Sequence, residues 1–251
     1  MCRHLAYLGP AVALRDIVIN PPHSLYRQSW APRRQRNGTV NADGFGLGWY
    51  APGDPVPARY RRTGPVWADP SFADVTRVVR SGALLAAVRD ATEGSAPDES
   101  SAAPYTHGPW LFSHNGALLG WPRSVADAAD TLPAAELLAL ESRCDSALAW
   151  ALALHQLRAG ADPDEALADT TGRLASLTPE SRLNFLLTDG HTIAATAWGD
   201  SLWYLSAPGR SLVVASEPHD DDPRWTEVPD RHLLTGDTSE VLLIPLKEPH
   251  L

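Results

Sequence analysis

Lysine is nearly missing from this chain: Lys247 is the only one among 251 residues. Methionine occurs once, at position 1, and cysteine twice, at positions 2 and 144. Two cysteines do not make a disulfide framework, which excludes a small cross-linked secreted scaffold. No apolar run reaches the roughly 18 residues that a membrane-spanning helix requires. The opening Met-Cys-Arg-His also lacks the apolar stretch and cleavage site of a signal peptide. A cytoplasmic protein that does not engage membrane is therefore expected. Basic charge is scarce as well, with 21 Lys and Arg against 30 Asp and Glu, a net charge of −9. Without a basic stripe, that balance argues against nucleic acid or an anionic membrane as partner. The short cluster Arg33-Arg34-Arg36 reads as a solvated loop. No glycine-rich phosphate loop leads from a strand into a helix, so nucleotide binding has no support. Cys2 and His4 have no second ligand pair at zinc-like spacing, and no metal is expected.

What is present suits one large core: 44% of residues are hydrophobic and 20% charged. At roughly 150 residues per domain the length allows a single domain over 1–251, which is the expectation. Cys2 to Leu8 reads as a short buried strand stopped by Gly9-Pro10, and residues 10–42 as irregular. Glycine alternates with apolar residues from Gly44 to Tyr50, a strand that something approaches closely; Arg59 to Arg62 is its candidate partner. Residues 71–80 carry a short helical pattern, Leu84 to Val88 a buried strand, and 94–104 a flexible loop. Trp110–Phe112 and Ala117–Leu119 flank Asn115-Gly116, which predicts a hairpin turn. A helix capped by Asp145 runs to Gly160 and is apolar on nearly every side, so it is expected to be buried. A second helix spans Pro163 to Leu177. Strand-like runs follow at 183–188, 192–198, 201–205, 212–216 and 240–245, the first three joined as hairpins through Asp189-Gly190 and Gly199-Asp200. Strands, then two helices, then strands predict helices packed on antiparallel sheets.

Cys2 is the most unusual placement. Removal of Met1 would leave Cys2 with a free α-amino group, whose pKa of roughly 7.7–8.0 lies just below the roughly 8.5 of a thiol. One residue then holds a nucleophile and its own general base. An incidental cysteine near a terminus is the plain alternative. Cys144 reads as a small apolar residue at a helix start.

Four segments, taken in order, add weight: Cys2-Arg3; Asn41-Ala42-Asp43-Gly44-Phe45-Gly46; Arg89-Asp90-Ala91-Thr92-Glu93-Gly94; and His114-Asn115-Gly116 with Cys144-Asp145 behind it. Their order and spacing resemble the class II, N-terminal nucleophile, glutamine amidotransferase family. The resemblance covers essentially the whole chain. It implies an α+β fold, an αββα sandwich with two antiparallel sheets between helix layers. It also implies Cys2 as nucleophile, with the Asn115 amide and the Gly116 N–H as oxyanion donors. Acyl transfer needs such donors, and losing one costs about a hundred- to a thousandfold in rate. A γ-glutamyl group carries a carboxylate and an ammonium. The resemblance assigns the first to Arg89, assisted by Thr92, and the second to Asp145. The glycines after Asp43 would let the chain pass close to the nucleophile. No cofactor is implied.

One position departs from the family pattern. Many glutamine-using members carry His where Glu93 sits, and an acid there puts strict glutamine specificity in doubt. Little chain remains for a synthase, so the leading expectation is a self-contained hydrolase of a small γ-glutamyl amide; that the leaving group carries a quaternary ammonium is what the resemblance implies. A glutaminase subunit feeding a separate synthase is the second reading, and a non-catalytic binding module the third. Homo-oligomerisation stays open.

Overall fold

The computed structural model describes residues 2–36, 38–91 and 98–247. Thr92 and Glu93 therefore lie outside the described residues, as do positions 94–97 of the expected loop. In chain order the strands and α-helices are β1 (Arg3–Ala13), α1 (Arg15–Val18), α2 (Leu25–Gln28), β2 (Gly44–Trp49), β3 (Ala58–Arg62), α3 (Pro70–Val78) and β4 (Arg80–Arg89). Next come β5 (Tyr105–His107), β6 (Trp110–Ala117), α4 (Ala126–Ala129), α5 (Ala134–Leu138), α6 (Asp145–Arg158) and α7 (Pro163–Leu177). The chain continues through β7 (Arg182–Thr188), β8 (Ile193–Ala197), β9 (Trp203–Ala207), β10 (Ser211–Ala215), β11 (Thr226–Glu227), β12 (His232–Gly236) and β13 (Val241–Pro245).

The strands form two sheets, ordered β11-β9-β10-β1-β4-β2-β3 and β13-β12-β8-β7-β6-β5, with antiparallel pairing throughout. Side chains alternate along each strand, so β1 serves two interfaces. Leu5 and Tyr7 pack under the α1–α3 layer with Phe45, Leu47 and Phe72. Ala6 and Leu8 face the second sheet and meet Leu111, Leu186, Ile193 and Ala195 between the sheets. The other helix layer is α6 and α7 on the β6–β8 side, where Leu148, Trp150, Leu167 and Leu174 pack on Phe112 and Phe185. The architecture is the expected αββα sandwich. Helix α6 is buried along most of its length, as its apolar circumference requires, and it ends ahead of Gly160 in the left-handed region (φ 96°).

Several local expectations need correction. Strand β1 does not stop at Gly9-Pro10; Pro10, which has no N–H to give, falls where the β1–β4 register shifts and beyond the paired length of β10. Residues 10–42 contain the end of β1 and two one-turn helices. Asn115-Gly116 is not a turn. It lies within β6, with Asn115 opposite Asn184 and Gly116 opposite Leu183. Gly199-Asp200 does not close a hairpin either, because β8 and β9 belong to different sheets. Of the expected loop, 98–104 is folded onto β2: Ser101 and Ala102 are buried, and Arg61 Nη1 donates to the Ser100 and Ala102 carbonyls. Gly46 allows this, since a Cβ there would fall on the Ala103 carbonyl oxygen.

Candidate active site

Register brings the sequence-predicted residues to one end of the sandwich. Arg3 pairs with Val88 and Gly44 with Arg89, so Cys2, just ahead of β1, lies beside the end of β4. Strand β6 supplies Gly116 from the facing sheet, and α6 begins with Asp145. Cys2, Arg89, Gly116 and Asp145 line one cavity, together with Tyr105, His114, Cys144 and Ser146; its empty space, mouth included, is ≈ 430 Å³. Asn115 is fully buried behind that wall, pointing between the sheets. The described residues leave Thr92 unplaced.

The Cys2 thiol is 3.9 Å from the Asp90 carbonyl oxygen. It is partly exposed, yet burial by its surroundings is the leading influence and pushes its pKa up. The Arg89 cation opposes that rise and the Asp145 charge adds to it. A cysteine held this way stays a thiol until a base takes its proton.

Asp145 is not the helix cap expected from sequence. Cys144 occupies the N-cap without a capping side-chain bond, and Asp145 is the first helical residue. Its Oδ2 accepts from Leu118 N–H at 3.0 Å and its Oδ1 from Ser146 N–H at 2.8 Å. The positive end of α6 favours the carboxylate there. These two bonds leave lone pairs that a ligand ammonium can use. Cys144 is buried, its sulfur 3.1 Å from the Tyr105 hydroxyl oxygen.

Gly116 is glycine because of close approach. A Cβ would collide with the Arg182 carbonyl oxygen and the His114 ring. His114 lies two residues away on the same face of β6. Its Nε2 is 2.8 Å from the Arg182 carbonyl and its Nδ1 3.0 Å from Ser146 Oγ. A carbonyl only accepts, so Nε2 carries the proton and Nδ1 accepts from the hydroxyl. Burial pushes the His114 pKa down, and the ring is neutral.

On the other face of β6, Asn115 Nδ2 lies 3.3 Å from Ser216 Oγ, and Ser113 Oγ is 3.2 Å from His4 Nδ1. Buried His4 has its pKa pushed down to about 3 by desolvation, with His114 and Arg3 adding to the shift. Asp43 secures the Arg89 end of β4, donating its N–H to the Arg89 carbonyl and accepting the Ala91 N–H. The glycines that follow Asp43 act through the 98–104 segment that lines the cavity, not by direct approach to Cys2.

Sequence reasoning did not find Ser146, Tyr105, Ser216 or the buried pair Arg3–Glu217. Glu217 accepts the Arg33 and Arg34 backbone N–H groups at 3.0 and 2.8 Å, and Arg3 Nη2 approaches its carboxylate at 3.9 Å. The basic loop is thus anchored, with Arg34 over the Trp203 ring and the exposed Arg33 beside Asp221. An acidic residue paired across 214 positions leaves no local pattern to read.

The family model of class II glutamine amidotransferases matches residues 21–210. The chain belongs to that family. Among curated members, the γ-glutamyl-hercynylcysteine sulfoxide hydrolase of Mycolicibacterium smegmatis is 44% identical over 98% of this chain and 100% of its own. The enzyme of the same name from Mycobacterium tuberculosis H37Rv is 43% identical over 98% and 97%. Among solved structures, a glutamine aminotransferase class-II domain protein from Silicibacter pomeroyi superposes with a TM-score of 0.71 at 26% identity, over 98% of this chain and all of that one. The glutamine phosphoribosylpyrophosphate amidotransferase of B. subtilis shares the fold at a TM-score of 0.67 and 14% identity; the match covers 98% of this chain and 49% of that one. Class II membership fits an α+β sandwich with a cysteine at the head of a central strand. Among the described residues, no helix is long and apolar enough to cross a membrane.

Proposed function

We propose that this class II family member is a γ-glutamyl amide hydrolase. Its substrate is γ-glutamyl-hercynylcysteine sulfoxide, and its products are glutamate and hercynylcysteine sulfoxide, a step of ergothioneine biosynthesis. The observation that carries the reading is the near full-length match, at 43–44% identity, to relatives of that name. The shared cavity of Cys2, Arg89, Gly116 and Asp145 supports it. The chain works in the cytoplasm as one domain over 1–251, without a cofactor.

With Met1 removed, the free Cys2 α-amine takes the thiol proton through a water. The thiolate attacks the γ-carbonyl, and the Asn115 amide and Gly116 N–H stabilise the oxyanion. Collapse of the tetrahedral adduct breaks the C–N bond, and the ammonium returns its proton to the departing amine. Water then hydrolyses the γ-glutamyl thioester, releasing glutamate and restoring the thiol. Arg89 holds the glutamyl α-carboxylate, with Thr92 assisting, and Asp145 holds the α-ammonium.

The test uses the protein with its Met removed. It should release one glutamate per substrate, and diazo-oxo-norleucine should leave a single covalent adduct on the Cys2 peptide. Cys2→Ala should lose both activities while its thermal unfolding stays native-like. Full turnover by that variant, or no glutamate from the trimmed wild type, would overturn the reading.

A further inference from the structure

One hydroxyl links the two sheets beneath the proposed reaction centre. The β1–β10 register continues past Leu5–Ala215 to set His4 opposite Ser216, and Ser216 N–H donates to the His4 carbonyl at 3.0 Å. The return bond of this antiparallel pair does not go to the Ser216 carbonyl. That carbonyl instead accepts from Ser201 Oγ at 2.8 Å. His4 N–H donates to Ser216 Oγ at 3.0 Å, so a side-chain oxygen occupies a ladder position.

The same oxygen accepts from Asn115 Nδ2 at 3.3 Å, across the gap between the sheets. Ser216 and Asn115 are both fully buried, and among the described residues Asn115 Oδ1 has no hydrogen-bond partner. The Ser216 bond is thus the hydrogen bond that the Asn115 side chain makes within the described structure. An amide nitrogen carries two hydrogens; with one directed at Ser216, the other is free for an oxyanion. His4 is two residues from Cys2, so Ser216 Oγ refers the proposed oxyanion donor to the strand that carries the proposed nucleophile.

The geometry points to Ser216 as a positioning residue for the oxyanion hole, acting on the reaction only through the orientation of the Asn115 amide. This inference rests on the γ-glutamyl hydrolase reading above. Displacing a catalytic donor by about 1 Å can cost on the order of a hundredfold. A variant that frees the amide without deleting it should therefore lose less than one that deletes it.

The experiment is a double-mutant cycle on glutamate release, measured with γ-glutamyl-hercynylcysteine sulfoxide and with glutamine. Ser216→Ala should lower kcat roughly 10- to 100-fold and leave KM within about twofold. Asn115→Ala should cost roughly 100- to 1000-fold. Adding Ser216→Ala to Asn115→Ala should change kcat by less than about twofold, since the group that Ser216 orients is gone. A merely structural serine would give multiplicative losses and a raised KM, and that result would overturn the inference. So would an unchanged kcat in Ser216→Ala while Asn115→Ala is crippled. Undiminished activity in Asn115→Ala would instead remove the oxyanion-hole reading on which the inference stands. Where Ser216→Ala does not fold, Ser216→Cys keeps the volume but weakens the acceptor, and the same outcomes apply.

Discussion

The two ends of the sandwich hold cavities of very different size and chemistry. At the far end, beyond Trp49, Gly82 and Thr188, a cleft of ≈ 1040 Å³ opens between Tyr50, Pro109, Asp189 and His191, against ≈ 430 Å³ at Cys2. Its polar groups serve the turns that build it. Asp189 Oδ1 accepts the His191 and Thr192 N–H groups, and the Tyr50 hydroxyl bonds to the Pro109 and Thr188 carbonyls. The Cys2 end is smaller but holds buried polar atoms with no partner among the described residues, Asn115 Oδ1 and His4 Nε2 among them. Volume alone would favour the far end. Convergence of a thiol, a guanidinium and a carboxylate on one cavity, with the Asn115 amide buried behind its wall, favours the Cys2 end.

The largest expected contrast is in ligand affinity. Removing a charge-assisted hydrogen bond costs about 1.5–3 kcal/mol, roughly 10- to 100-fold. Arg89→Ala should raise KM by that factor with kcat within a few-fold. Asp145→Asn should do the same while its amide oxygen still accepts a backbone N–H. Steady-state kinetics on a γ-glutamyl amide decide it, and an unchanged KM in both variants would remove the glutamyl pocket from this end.

How much of this could be read in advance depends on the range of each signal. Helices α6 and α7 follow from local patterns, a run apolar on all sides and an N-terminal proline with acids in the first turn, and the second was read residue for residue. The double-sheet architecture follows from the family resemblance, and the solved structures that superpose on the chain share it. Asn115-Gly116 misled because this dipeptide is favoured in tight turns. Here the glycine answers a long-range demand, the Arg182 carbonyl and the His114 ring closing on the same space. Gly199-Asp200 misled for a related reason, since nothing in the dipeptide says that the chain is changing sheets. Cys2, Arg89 and Asp145 were singled out by motif order, but their meeting is a matter of register and of the α6 start. Ser216, buried and paired across 212 positions with His4, had no local mark at all.

A smaller contrast lies in acid stability. Buried His4 titrates at about 3 in the folded state against an ordinary 6.5, while His191 at the far end is exposed. Between those values the unfolded chain binds a proton that the folded chain refuses. Stability is therefore complete above about pH 6.5 and is lost as pH falls toward 3, by about 1.4 kcal/mol per pH unit from this one group. His114 and His219, also pushed down by burial, act with the same sign. Urea unfolding from pH 7 to 4 should show this slope, and His4→Gln should reduce it. An equal slope in the variant would place the acid sensitivity elsewhere.

The smallest effect tests the far end itself. Tyr50 has its hydroxyl pKa raised by burial, with the Asp189 charge adding to the rise, so it stays protonated and donates. Its oxygen is 2.6 Å from the Pro109 carbonyl and 3.0 Å from the Thr188 carbonyl, which ties the turn before β6 to the end of β7. Tyr50→Phe keeps the ring that packs on Gly190 and deletes that tie. A hydrogen bond of this kind contributes about 1 kcal/mol, which at this chain length is roughly 2–4 °C in Tm. Turnover should stay within twofold, because β6 and β7 run their full length before reaching the Cys2 cavity. If Tyr50→Phe instead cut kcat/KM tenfold at unchanged Tm, the larger cleft would have a part in the chemistry, and the division between a structural end and a reactive end would fail.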